Sequence, residues 1–279
     1  MTVSVLYRLL LRSTYLTIGM LVVWIGLDAS LGGSFWSGMQ ISQSAVTVEY
    51  CEFNQVDRFF HQPINTYSNL AYFFLGILVL GIAGQDARNG GESGRNRLAD
   101  FPLLSALMGG CMVYLSVGSA FFHASMTYVG QRVDMNGTYA VLLTLVGIAV
   151  YHILPGLSLS PTQKTGWVLS VVGLIVVFIW VAQWLSSARL VPALLLVLYG
   201  LMMINYAQFR KERSLVVALL SLVLIIIAIR IRTLDVQKVN CDPHSMLQGH
   251  ALWHGLTALS SFCSYLFFRF RGQLVGSRS

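Results

Sequence analysis

The chain has 279 residues, of which 56% are hydrophobic, 12% aromatic and only 10% charged, with a formal net charge of +7. A soluble domain of this length carries about a quarter charged residues, so this composition excludes an ordinary soluble globule and places most of the chain in lipid. The positive balance does not point to nucleic acid, because Lys and Arg sit in short clusters between apolar runs, where they orient membrane helices.

Residues 5–31 form the first apolar run, with Arg8 and Arg12 near its start. It reads as a retained membrane helix; the alternative is a signal peptide cleaved near Ala29-Ser30-Leu31-Gly32. A polar segment follows, holding Glu49, Glu52, Asn54, Asp57, Arg58 and His61. Further runs at 64–84, 101–123, 133–153, 165–185, 190–207, 214–232 and 247–268 predict helices long enough to span a bilayer. The expected fold is therefore an all-α polytopic membrane protein, with a seven-helix core at 64–279, a polar segment at 33–63 and one extra hydrophobic helix at 1–32. Short turns at 185–190 and 207–214 predict antiparallel neighbours on either side of each. Cys111 and Cys263 lie inside apolar runs and read as packing residues, as does His152 as an interfacial one.

Orientation follows from Lys and Arg counted loop by loop. With the N-terminus cytoplasmic, that side holds Arg8, Arg12, Arg88, Arg95, Arg97, Lys164, Arg210, Lys211, Arg213, Arg269, Arg271 and Arg278. The other side holds Arg58, Arg132, Arg189, Arg230, Arg232 and Lys238. Twelve against six predicts that both termini are cytoplasmic.

The chemistry gathers at Gln248-Gly249-His250-Ala251-Leu252-Trp253-His254. Histidines four apart share one helical face, with Cβ atoms about 5–6 Å apart, a spacing that suits one metal ion. His123, at the end of the run containing Gly118 and Ser119, and Asp134, at the start of the next, fall on the same side of the membrane by span parity. On the predicted topology that side is external. Three imidazoles with a fourth position open is the donor set of a catalytic zinc site. The insert Ala251-Leu252-Trp253 lacks the Glu that serves as base in soluble His-Glu-x-x-His proteases. Asp134 is then the candidate general base, or else a helix N-cap or partner of Arg132. Ser119 is a candidate to orient water or hold a developing oxyanion, or else a small residue for close packing.

Three blocks of sequence carry a resemblance. They are Glu49-Tyr50-Cys51-Glu52-Phe53-Asn54 with Ile64-Asn65-Thr66-Tyr67-Ser68-Asn69-Leu70, Gly118-Ser119-Ala120-Phe121-Phe122-His123-Ala124 with Gly130-Gln131-Arg132-Val133-Asp134, and Gly249-His250-Ala251-Leu252-Trp253-His254 preceded by Asp235 and Cys241. Together they resemble the alkaline ceramidase family, within the superfamily of seven-helix membrane hydrolases that includes the adiponectin and progestin receptors and the Per1-type proteins. The resemblance implies a zinc-dependent amidase that cleaves the N-acyl bond of ceramide to a sphingoid base and a fatty acid, with His123, His250 and His254 on Zn2+ and with Ser119 and Asp134 catalytic. It also implies a Ca2+ site from Glu49, Tyr50 through its carbonyl, Glu52 and Asn54, with Gln62 standing where the family has an acidic residue. A neutral donor there weakens calcium binding. The extra N-terminal helix inverts the core relative to eukaryotic relatives. Cys51 and Cys241 fall on the external side, where oxidation can occur; a disulfide between them and two unpaired thiols are both open readings. Other readings are a lipid-binding receptor-like member, a hydrolase of a different amide or ester lipid, and a metal or proton transporter. The last is ranked low because the ionisable residues cluster at one end.

Overall fold

The computed structural model describes residues 2–89, 96–154 and 156–270. Arg95, Arg271 and Arg278 of the charge count, and the end of the 64–279 core, lie outside the described residues. Among those described, strand pairing is confined to isolated bridges from Gly32 to Arg58 and from Ile41 to Thr127. The helices are α1 (Val3–Ser30), α2 (Gln43–Val46), α3 (Pro63–Ser68), α4 (Leu70–Arg88), α5 (Pro102–Ser125), α6 (Tyr128–Ile153), α7 (Pro161–Trp184), α8 (Ser187–Gln208), α9 (Leu215–Val236) and α10 (Gly249–Arg269).

Among the described residues, seven spans are long and apolar enough to cross a membrane, counting α3 and α4 as one from Pro63 to Arg88. The eighth expected span, α10, has 21 residues, about 31 Å at 1.5 Å per residue. His250, His254 and the serines at 260, 261 and 264 make it more polar than the other spans, and it packs against α9, α4, α3 and α6.

The helix starts follow local chemistry. Proline, which has no N–H to leave unpaired, opens α3, α5 and α7. Ser160 and Gln163 form a capping box on α7. Thr127 accepts from the Gly130 N–H at 3.1 Å and starts α6 about five residues earlier than the apolar run alone predicts. Asp134 is thus nearly two turns inside α6, so the N-cap reading of it is wrong, and Arg132 reaches the Ala182 carbonyl instead.

α5 is the central helix, with α4 on one side and α6 on the other. Gly76 and Gly109 let α4 and α5 touch backbone to backbone: a Cβ on Gly109 would lie 2.8 Å from the Gly76 carbonyl oxygen. Small residues at a crossing replace the hydrophobic drive that lipid does not supply. Gly118 does the same between α5 and α6, where a Cβ would come within 2.9 Å of Val133.

Two expectations are corrected. Short turns do not make neighbours of α7 and α8 or tight neighbours of α8 and α9: α7 and α8 both lean on α6, α9 lies along α10, and α8 and α9 approach closely at few points, one of them the 2.8 Å contact of the Tyr199 and Ser221 hydroxyls. His152 is buried and not interfacial; its Nδ1 is 2.8 Å from the Ile148 carbonyl and its ring lies against Phe268. Beside it Arg213 donates to the carbonyls of Phe267 and Phe268, groups left over at the C-terminal end of α10.

The extra helix α1 lies along α4, with Leu9 filling the space over Gly81. At its far end Asp28 pairs with Arg58 and accepts from the Phe60 N–H at 3.0 Å. Cys51 and Cys241, 190 residues apart, are joined by a disulfide, while Cys111 and Cys263 are free and buried.

The glycine crossing predicts unequal costs for adjacent substitutions. Gly109→Ala should destabilise by about 1–3 kcal/mol through overpacking, whereas Gly110→Ala, whose Cβ meets nothing within 4 Å, should not. Thermal unfolding in detergent checks this, and equal melting temperatures for the two variants would contradict the crossing.

Candidate metal centre

The turn between α5 and α6 is only Met126 and Thr127, with Met126 in the left-handed region at φ 50. It returns the chain at once, so that His123 near the end of α5 and Asp134 on α6 stand at the same end of the bundle. α10 enters there, presenting His250 and, one turn deeper, His254. The ligand atoms of His123, His250 and His254 lie within 4.8 Å of one another, and all three side chains are buried. Their ring centroids are 4.6 to 5.1 Å apart.

Each imidazole has an orienting partner. His123 Nδ1 meets Gln62 Oε1 at 2.8 Å, which makes Nδ1 the protonated nitrogen and leaves the lone pair on Nε2, an atom with no partner. His254 Nδ1 meets the Ser68 hydroxyl at 2.7 Å. The His250 ring is held from behind by the Tyr50 ring at 4.1 Å, and its Nδ1 has no partner. The N–H of His250 donates to Asp235 Oδ1 at 3.2 Å, and the other oxygen of that carboxylate accepts from the Cys51 N–H at 3.2 Å. Gly249 is required here, since a Cβ would lie 2.9 Å from Asp235.

Buried ring nitrogens without partners are costly, and these face a common point. The residues therefore fit a metal ion held by three imidazoles. Zinc–nitrogen bonds of about 2.1 Å would draw the nitrogens to roughly 3.4 Å apart, closer than the 4.8 Å limit found here.

Ser119, one turn below His123, and Asp134 are brought together because Gly118 admits Val133 of α6 beside it. Both face a cavity of about 330 Å3. At its polar end stand Tyr50, Ser119, Asp134, Arg232, His250 and His254; its largely apolar end is formed by Leu142, Leu145, Leu195, Leu198 and Ile225, with the hydroxyls of Tyr199, Ser260 and Ser264 on one side. The cavity lies between α6, α8, α9 and α10, where α8 and α9 part. Arg232 lines the cavity and pairs with Glu49 at 3.0 Å, with its guanidinium over the Trp253 ring.

The residues expected to bind calcium do not present a free donor set. Glu49 is taken up by Ser44 and Arg232. Glu52 accepts from the Ile64 and Asn65 N–H groups at 2.7 and 2.8 Å, closing the start of α3. Burial pushes Glu52 up to about 7 against those two donors. Asn54 Oδ1 accepts from Gln62 Nε2 at 2.7 Å, and Lys238 donates to the carbonyls of Glu49 and Tyr50. Burial, then Glu49, raises the Tyr50 phenol, and burial lowers His61. The donors of these residues are occupied by protein partners, so they do not fit a calcium ion. Gln62 belongs to the imidazole site.

A family model described as Ceramidase matches residues 42–274. The chain belongs to the ceramidase family. Membership makes it a hydrolase of a carbon–nitrogen bond outside peptides, the amide of ceramide, and gives it a lipid substrate in the membrane. The match begins after α1, so the helix that braces Phe60 lies outside the matched residues. A search of curated proteins finds no match.

Sequence reasoning quoted Ser68 and Asp235 but gave them no role, and it placed Gln62 with the possible calcium ligands, whereas here Gln62 meets His123. The site predicts that Ser68→Ala weakens metal binding about 10–100-fold, the usual effect of removing such a partner. Competition titration against a chelator measures it, and a change under twofold would remove Ser68 from the site.

Proposed function

We propose that the protein is a zinc-dependent ceramidase that draws ceramide from the bilayer and cleaves its N-acyl bond at the three-histidine site. The observation that carries this reading is the placement of unpartnered imidazole nitrogens at the polar end of a cavity whose other end is apolar. Two hydrocarbon chains suit the apolar end and the amide between them suits the polar one.

His123, His250 and His254 would hold the ion. When bound with a position open, zinc makes water a nucleophile near neutral pH and polarises an amide carbonyl. Asp134 takes the proton from the attacking water as its oxygen adds to the carbonyl carbon. It then delivers that proton to the departing nitrogen as the C–N bond breaks, leaving a fatty acid and a sphingoid amine. The Ser119 hydroxyl, on the same wall, donates to the oxyanion that develops on the carbonyl oxygen. Tyr50 and Arg232 close the polar end above them.

The Lys and Arg distribution supports an external site with both termini cytoplasmic. The Cys51–Cys241 disulfide, at the same end of the bundle as the histidines, supports the same orientation, since disulfides persist on the oxidising side.

Release of fatty acid and sphingoid base from a ceramide panel by purified protein, with metal content determined on each sample, tests the roles. Wild type should hold about one zinc and cleave ceramide. Asp134→Asn should keep the zinc and lose about 10²–10⁴-fold in kcat, and His250→Ala should lose both. Full turnover by Asp134→Asn would remove it as the base. Zinc with no cleavage of any lipid would favour a receptor-like protein.

A further inference from the structure

The 49–54 segment forms the roof over the histidines, and something must hold it to α9. Lys238 lies just beyond the C-terminal end of α9 in the left-handed conformation, at φ 58. Its N–H closes the helix end on the Asp235 carbonyl at 3.0 Å. This position strongly favours glycine or asparagine, because a Cβ crowds the following carbonyl there. A lysine at such a place needs a reason. Its ammonium donates to two successive backbone carbonyls, those of Glu49 at 3.1 Å and of Tyr50. Burial lowers the hold of that ammonium on its proton, and the carboxylates of Asp235 and Glu49 work against this.

Two carbonyls turned to one point, with carboxylates behind them, form a cation site, and here the cation is covalently part of the chain. We infer that the Lys238 ammonium serves as a built-in cation that takes the place of a bound Ca2+, holding the 49–54 segment over the histidines so that the protein neither binds nor needs calcium. The remaining donors agree with this. Calcium takes six to eight oxygens, whereas Glu52 serves the N-terminus of α3, Asn54 serves Gln62, and Glu49 is neutralised by Arg232. Gln62 carries no charge and divides its amide between Asn54 and His123. A single positive charge therefore balances a site with few free negative ones. Lys238 acts on the histidines through Tyr50, whose ring packs on His250, and through Cys51, whose N–H shares Asp235 with the His250 N–H. It is a positioning residue.

The test uses the full chain in detergent and calcium chloride as the probe, and it needs no substrate, so it stands or falls apart from the ceramide reading. For wild type, calorimetric titration should give no saturable heat. Millimolar calcium should leave the melting temperature unchanged, because only an ion that binds the folded state raises it. Saturable binding with a melting temperature raised by calcium would overturn the inference. Lys238→Gly separates the ammonium from the backbone: relief of the left-handed conformation alone predicts a higher melting temperature, whereas loss of the cation predicts a lower one, by about 2–4 °C or more. Lys238→Arg should recover most of that loss. A glycine variant as stable as wild type, or an arginine variant no better than the glycine one, would also overturn it.

Discussion

Imidazoles bind a metal only when neutral and only when their lone pairs converge, and inside a low-dielectric bundle that convergence has to be imposed by fixed neighbours. Here the neighbours come from parts of the chain far from the histidines. Gln62 turns His123, Ser68 turns His254, and Tyr50 and Asp235 hold His250. The rest of the architecture at this end of the bundle follows from keeping those four residues still. The disulfide fixes the 49–54 segment to the loop before α10, Asp235 ties that segment to the first turn of α10, and the two-residue turn after α5 leaves His123 no freedom to withdraw.

The extra helix enters the same network. Asp28 at the end of α1 holds Arg58 and the Phe60 N–H, and Trp24 packs against Phe60 and Tyr67. From Phe60 the chain runs directly to His61 and Gln62, whose N–H groups donate to the carbonyls of Ala124 and His123 at 3.0 Å each. A helix with few buried residues of its own is thereby linked through Phe60 and His61 to Gln62, the side chain that orients a candidate ligand. Its contribution is one of position, since none of its atoms lines the cavity.

Much of this was legible in the sequence. Hydropathy located the spans because burial in lipid demands continuous apolar runs, and the four-residue spacing of His250 and His254 located the site because helical periodicity fixes which side chains share a face. What was not legible depends on contacts between distant segments. Nothing near Asp235 in the chain announces that its carboxylate will accept from residues 51 and 250, and Gln62 reads as a weak calcium donor until its neighbours are seen. The start of α6 was misplaced because the cap, Thr127, precedes the apolar run and not because the run itself was misread. Neighbour relations were misjudged because a short turn fixes sequence order, whereas contact is decided by which faces fit: the glycines on α5 and α6 draw helices inward, and α8 and α9 carry no such pair at their shared edge.

That parting of α8 and α9 bears on how a hydrolase can work in a membrane. It must admit a substrate from lipid and a second reactant, water, from the aqueous phase, and the two should not arrive by the same route. The cavity is apolar at the level of Leu142, Leu145, Leu195, Leu198 and Ile225 and polar at the level of Tyr50, Asp134 and Arg232. A lipid lying in the cavity would set its hydrocarbon against these leucines and isoleucine and its amide toward the histidines, with Asp134 on the side of the polar segment. On the proposed mechanism the two paths meet only where Ser119, Asp134 and the imidazoles stand together, which confines reactive water to the one bond it is meant to break. The Arg232–Glu49 pair lies at that junction. The guanidinium is held by Glu49 on one side and rests over the Trp253 ring on the other, so the charge beside the cavity is met by partners on both sides.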